Sequence, residues 1–149
     1  MKSRFALTLA VAVAMAPLGI ASAADPKGKG SPASEIDHSG RKQSGVASYY
    51  GKGLDNKKTA NGDKMDPGKM TAASKTLPLG THAKVTNTDN GKSANVTIND
   101  RGPFVKGRIL DVTPKAAEKL GIISDGVSPV EVKPLDVPQT DGKVKHPAE

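Results

Sequence analysis

The amino-acid sequence predicts a small, mainly β domain, with short strands rolled into a closed or nearly closed barrel and one short helix. Three observations lead there. Apolar and polar residues alternate over brief runs, turn-forming Gly, Asn and Asp separate those runs, and a helical start, stripe and stop coincide at one place only.

In chain order, the first segment stands apart from the fold. Lys2 and Arg4 precede an apolar run from Phe5 to Met15, Pro17 and Gly19 interrupt it, and Ala21-Ser22-Ala23 offers the small residues a signal peptidase accepts. The run is shorter than the roughly 20 residues a bilayer span needs, so residues 1–23 read as a secretory signal and the mature chain is expected to begin near Ala24. Residues 24–44 hold Lys, Gly, Ser and Pro with Ile36 as the one sizeable apolar side chain. Such a composition cannot offset the entropy of ordering and predicts a flexible, disordered leader. A disordered tail is expected on the same grounds over residues 134–149, where Pro134, Pro138 and Pro147 sit among polar residues. Residues 45–133 remain as one domain, near the lower size limit for an unaided core.

Within that domain, residues 45–50 form the first expected strand. Ala83 and Val85, then Ala94, Val96 and Ile98, alternate with polar neighbours, and Asp89-Asn90-Gly91 between them tolerates positive φ, so residues 81–99 read as a hairpin. Further strands are expected at 108–112 and 129–133. The helix follows from Thr113 as N-cap, Pro114 at the first helical position, Ala116, Ala117 and Leu120 as the buried stripe, and Gly121 as the stop.

Composition narrows the function classes. The chain has no cysteine, which excludes a disulfide framework, a thiolate metal site and the acylated cysteine of a lipoprotein. A periplasmic or secreted protein of a bacterial envelope, without a lipid anchor, is expected. The formal net charge is +7, with Lys2 and Arg4 inside the expected signal, and such an excess favours anionic partners. The lysines are scattered and lack aromatic interleaving, so no nucleic-acid partner is expected. His38, His82 and His146 lack ligand spacing, so neither a metal nor another cofactor is expected. No membrane segment is expected after signal cleavage, and the protein is expected to act as a monomer.

One stretch, Ile98-Asn-Asp-Arg-Gly-Pro-Phe-Val-Lys-Gly-Arg-Ile-Leu-Asp111, does not fit a plain strand end. If Val96 and Ile98 point inward, alternation points Asp100 inward too, provided no bulge intervenes. A carboxyl group at the lip of an apolar interior is penalised in its charged form, as a proton donor requires, whereas nearby cations such as Arg101 and Arg108 favour the carboxylate. The same residues also make an ordinary strand exit, with the carboxylate capping turn amides and Gly-Pro setting the bend.

The order and spacing of Gly45-Val-Ala-Ser-Tyr-Tyr-Gly51, Thr59-Ala-Asn-Gly-Asp63, Leu77-Pro-Leu-Gly80 and Asn99-Asp-Arg-Gly-Pro103 resemble the RlpA (rare lipoprotein A) family. The resemblance covers nearly the whole proposed domain and neither tail. It implies a six-stranded double-psi β-barrel with one or two short helices, a fold shared with expansins, barwin-like proteins and some endoglucanases. It further implies an endolytic lytic transglycosylase acting on peptidoglycan glycan strands, in which a carboxyl group protonates the oxygen between MurNAc and GlcNAc. The sugar's C6 hydroxyl then attacks and leaves a 1,6-anhydro end, so one carboxyl group can serve first as acid and then as base, unlike the carboxylate pair of most glycosidases.

By this resemblance Asp100 is the acid/base and Asp63, where the family commonly has Glu, is a supporting carboxylate. Ser74 stands where the family has histidine, which weakens the expected activity and favours a second reading, a non-catalytic, expansin-like peptidoglycan-binding or wall-loosening module. With no Trp in the chain, Tyr49 and Tyr50 are the expected sugar platform, and adjacent strand residues face opposite ways, so one of them lines the groove. Asn61 is expected in a turn presenting Asp63, and Ser74, Arg101 and Arg108 complete the expected substrate contacts. Arg108 and Asp111 bracket one strand, so a structural ion pair competes with a hold on Asp100 or on a glycan acid group.

Overall fold

The computed structural model describes residues 35–148 apart from 52 and 54. The expected signal and the first part of the expected leader lie outside these residues. The described strands are β1 Gln43–Tyr49, β2 Thr71–Ser74, β3 His82–Asn87, β4 Ser93–Asp100, β5 Arg108–Val112, β6 Val127–Pro138 and β7 Val144–Lys145, with helix α1 Pro114–Leu120 between β5 and β6.

Hydrogen bonding runs in the order β1-β5-β2-β4-β3-β6, and β6 pairs back onto β1, so the six strands close. The β1/β5 and β2/β4 pairs are parallel and the other pairs antiparallel. This is the double-psi β-barrel. Closing a sheet with so few strands leaves a narrow interior, which explains why Ala47, Ala72, Ala83 and Ala94 sit in the core beside Leu77, Val85, Val96, Ile98, Leu110, Val112, Val130 and Val132. Ala116, Ala117, Leu120 and Ile122 add the helix to the same core. The helix stops at Gly121, whose φ of 72° is left-handed and costs glycine little.

Three expectations are corrected, and one strand, β2, was not anticipated. Thr113 makes no side-chain cap; its hydroxyl donates to the Lys69 carbonyl. β2 carries no strand periodicity, because Ala72, Ala73 and Ser74 are all buried. The tail is not disordered from residue 134, since β6 runs through Pro134 to Pro138 and pairs with β3 and with β7. Proline lacks an N–H and reads as a strand breaker, yet here the ladder shifts register between His82 and Ala83, opposite Pro134 and Asp136, where such a residue is tolerated. Nor is the described end of the leader free: the Asp37 N–H donates to the Thr76 carbonyl, His38 Nδ1 lies 2.8 Å from the Pro138 carbonyl, and Gln43 and Ser44 are paired within β1. These hydrogen bonds order a segment whose one sizeable apolar side chain is Ile36.

Candidate active site

The register of β4 decides where Asp100 points. Thr71 pairs with Thr97 and Ala72 with Ile98, but Ala73 pairs with Asp100, so Asn99 is an extra residue on β4. A one-residue shift moves a side chain to the other face of a sheet. Ile98 therefore stays in the core with Ala72, while Asp100 joins Ala73 on the outer face. The expectation that Asp100 continues the inward series of Val96 and Ile98 is corrected by this bulge. The surplus residue, Asn99, is itself buried, and its backbone carbonyl accepts from the Asn61 N–H at 3.2 Å.

Ala73 also pairs with Asp111 of β5, and Asp111 with Ser48 of β1. Asp100, Ala73, Asp111 and Ser48 thus form one lateral row across four strands, on the outer face of the barrel. The row is nonetheless covered: Ala73 and Ser48 are buried, and the Asp111 side chain is 15% exposed. Strands lie roughly 4.8 Å apart, so two spacings, on the order of 10 Å, separate the Asp100 and Asp111 backbones.

Asp100 is held on three sides. Oδ1 accepts the Ala60 N–H at 2.9 Å and the Arg101 N–H at 2.8 Å, and Oδ2 accepts the Tyr50 hydroxyl at 3.3 Å. Burial first, then the charge of Asp100, its hydrogen bond and the charge of Asp111, pushes the Tyr50 hydroxyl well above its ordinary range, so it remains a proton donor. Oδ1 is committed to backbone amides that cannot release it. Oδ2 accepts from the Tyr50 hydroxyl and from no backbone amide among the described residues.

The loop that supplies Ala60 is the Thr59–Asp63 turn. Asn61 organises it: Asn61 Nδ2 donates to Asp63 Oδ2 at 2.9 Å, the Asp63 N–H donates to Asn61 Oδ1 at 3.0 Å, and the Thr59 hydroxyl lies 2.6 Å from Asn61 Oδ1. Gly62, with φ of 95°, closes the turn. Asn61 and Asp63 are exposed and tied through the Ala60 and Asn61 amides to the end of β4.

The other expected contacts have different partners. Tyr49 packs against the core, and its hydroxyl donates to the Ile123 carbonyl at 3.3 Å, so of the two tyrosines Tyr50 is the one at Asp100. Ser74 is 1% exposed, and its hydroxyl accepts the Thr76 and Leu77 amides at 3.2 and 3.0 Å. Its expected place among the substrate contacts is corrected, because a hydroxyl enclosed in its own turn cannot reach a glycan. Arg101 directs Nη1 to the Ser74 and Leu77 carbonyls at 3.0 and 2.6 Å; burial lowers its affinity for the proton and the Asp100 charge opposes this. Arg108 pairs with Asp111 at 2.7 Å rather than with Asp100.

Asp111 and Ser48 are the residues that sequence reasoning left out of the site. The Ser48 hydroxyl donates to Asp111 Oδ1, the same oxygen that Arg108 Nη2 reaches. The sequence offered Asp111 only as an ion-pair partner of Arg108, a pair that forms, and cross-strand register places it in the row with Asp100. Phe104, four residues beyond Asp100, is 82% exposed and stands at the rim rather than in the core.

Comparison with known proteins agrees with this geometry. A double-psi β-barrel family model described as lytic transglycolase matches residues 42–132. The chain is 50% identical over 93 residues to the probable endolytic peptidoglycan transglycosylase RlpA of Nostoc sp., covering 61% of this chain and 25% of that protein. It is likewise 50% identical over 95 residues to the endolytic peptidoglycan transglycosylase RlpA of Vibrio cholerae, covering 64% and 36%. The chain thus spans about a quarter to a third of the length of these relatives. Among solved structures, Streptomyces papain inhibitor superimposes with a TM-score of 0.51 at 23% identity over 63% of this chain and 94% of that one. Apo expansin of Clavibacter michiganensis gives 0.50 at 21% identity over 73% and 53%; both share the fold alone. With its six closed strands and a family match across more than half its length, the chain belongs to the lytic transglycolase family of double-psi β-barrel proteins.

Proposed function

We propose that this protein is exported to the bacterial envelope and cleaves the MurNAc–GlcNAc β-1,4 bond of peptidoglycan glycan strands, leaving 1,6-anhydroMurNAc ends. One observation carries the reading: Asp100, on the outer face of the barrel, has Oδ1 clamped by two backbone amides while Oδ2 faces a hydroxyl that stays protonated. The relatives named as endolytic peptidoglycan transglycosylases supply the substrate class.

The chemistry follows from that placement. Asp100 delivers a proton from Oδ2 to the glycosidic oxygen as the C1–O4 bond breaks, with its electron pair leaving on O4. The C6 hydroxyl of the same MurNAc then bonds to C1 and returns its proton to Asp100, so no water is consumed. General acid–base catalysis of this kind contributes about 10²- to 10⁴-fold. Tyr50 orients Oδ2, and Asn61 with Asp63 shapes the loop whose amides fix Oδ1. Exposed Phe104 supplies the aromatic rim on which a sugar face packs.

The test is digestion of purified sacculi, with mass spectrometry of the soluble products. Wild type should release anhydro-ended muropeptides, and Asp100→Asn, which keeps an acceptor for the two amides, should lower that release by about 10²-fold or more with the fold intact. A wild-type digest without anhydro ends refutes the reading. A second reading, the non-catalytic glycan-binding module, is favoured by Ser74 in place of the family histidine, and would give co-sedimentation with sacculi and no soluble product.

A further inference from the structure

We propose that the wall of the barrel turned away from Asp100 is a second, non-catalytic docking surface for anionic peptidoglycan, built on a lateral row of Lys84, Lys133 and Lys42; its choice of partner rests on the peptidoglycan reading above. Register is the first observation. Lys84 of β3 lies directly opposite Lys133 of β6 in the antiparallel ladder, and the other neighbour of Lys84 is the uncharged Asn95 of β4. Ala83, Val85 and Val132 beside them belong to the core, so both lysines point out of the barrel. Lys42 immediately precedes Gln43, which pairs with Val132, and the same register carries the row on to the start of β1. Like charges directly opposite on adjacent strands destabilise a sheet.

The second observation is how the nearby acids are used. Glu131, in the adjacent register position between Thr86 and Ser44, lies 3.5 Å from Lys42 Nζ. Asp136, on the other side of the row, is held by His82 and His146. Among the described residues, neither Lys84 nor Lys133 has a salt-bridge partner. Lysines on open strand edges keep sheets from pairing with one another, but β3 and β6 are each paired on both sides. There is no edge at this place for the lysines to guard.

The third is position. In the closed order β1-β5-β2-β4-β3-β6, β3 lies across the barrel from β5 and β6 lies across from β2. The lysine row therefore stands on the wall opposite Ala73 and Asp111, and a glycan segment lying at Asp100 leaves it free. Each disaccharide of peptidoglycan carries carboxylates, on its lactyl group or on the peptide attached there. A protein working inside such a net meets strands on more than one side. Lysine ammonium groups on flexible stems attract those carboxylates over a distance and without shape matching, so the row holds a neighbouring strand while the opposite wall faces the strand to be cut.

The experiment compares two double variants of the whole protein by co-sedimentation with purified sacculi. Lys84→Gln/Lys133→Gln should bind about tenfold more weakly than wild type at low salt, with a shallower dependence on salt concentration. Its melting temperature should be no lower than that of wild type, because opposed like charges have been removed. Lys115→Gln/Lys119→Gln takes the same charge from exposed positions of α1 and should bind nearly as wild type does. Equal weakening in both variants means that net charge alone acts, and overturns the assignment. So does a row variant that binds like wild type, or one that melts earlier, which would mean that the lysine stems serve the sheet. Wild type that prefers vesicles of anionic lipid to sacculi, and loses that preference in the row variant, would make this a lipid surface and refute the proposal. Co-sedimentation is read without product, so wild type that binds sacculi through the row but yields no anhydro ends sinks the transglycosylase reading and supports this one.

Discussion

At the scale of single residues, the site depends on what each polar atom is committed to. Asp100 and Ser74 are close in the fold, since Ala73 pairs with Asp100, but their chemistry differs: Asp100 retains an oxygen toward a hydroxyl, whereas the Ser74 hydroxyl is spent on the Thr76 and Leu77 amides. Removing that acceptor leaves two amides without their side-chain partner, one of those bonds fully buried. Ser74→Ala is therefore expected to cost about 1–3 kcal/mol in urea unfolding while activity per folded molecule stays near wild type. A large loss of activity at unchanged stability would return Ser74 to the substrate contacts. The motif around Asp100 was legible because its residue types are specific. The orientation of Asp100 was not, because the extra residue Asn99 shows itself only against the register of β2.

Among secondary-structure elements, local signals worked where one element carried its own start and stop. The helix Pro114–Leu120 and the strand Arg108–Val112 coincide with expectation, since Pro114, the alanine stripe and Gly121 act through the backbone of their own segment. The β3/β4 hairpin also forms, with Gly91 at φ of 76°. β2 escaped notice because both faces of a four-residue strand are buried, which removes the alternation that identifies strands. The β6–β7 pairing escaped because prolines dominate that segment. This hairpin has a pH signature. Asp136 lies 2.7 Å from His146 Nδ1 and 3.1 Å from His82 Nδ1, and these hydrogen bonds, His146 first, hold its carboxyl group below the ordinary range. A depressed carboxyl group stabilises the structure at pH above its unfolded value and loses that contribution as pH falls through its folded value. Protection of the Val144 and Lys145 amides, taken against the exchange rate of an unstructured chain at the same pH, should therefore be greatest above pH of about 4 and fall below it. Asp136→Asn should abolish that dependence, and exchange indifferent to both would show that the histidines do not hold the strand.

For the molecule as a whole, stability and function share one shell of strands. The core side of β5 presents Leu110 and Val112, and its outer side presents Asp111 between them. Leu110→Ala should cost about 2–5 kcal/mol, a sizeable part of the roughly 5–15 kcal/mol typical of a whole domain, and should shift the urea midpoint accordingly. If it leaves the midpoint unmoved, the barrel interior is not the packed core described above.

The sequence by itself determined the β class, the helix and its ends, the alternating core residues and the identity of the acid/base candidate. The class, the helix and the core residues follow from side-chain chemistry and from periods of a few residues, whereas the acid/base candidate follows from the resemblance to the RlpA family. The tertiary structure alone decided which face Asp100 occupies, that Ser74 is enclosed, that Arg108 belongs to Asp111, and that Asp111 stands in the row with Asp100. All four depend on register between strands distant in sequence, which is set by closure of the barrel, and no local pattern encodes it.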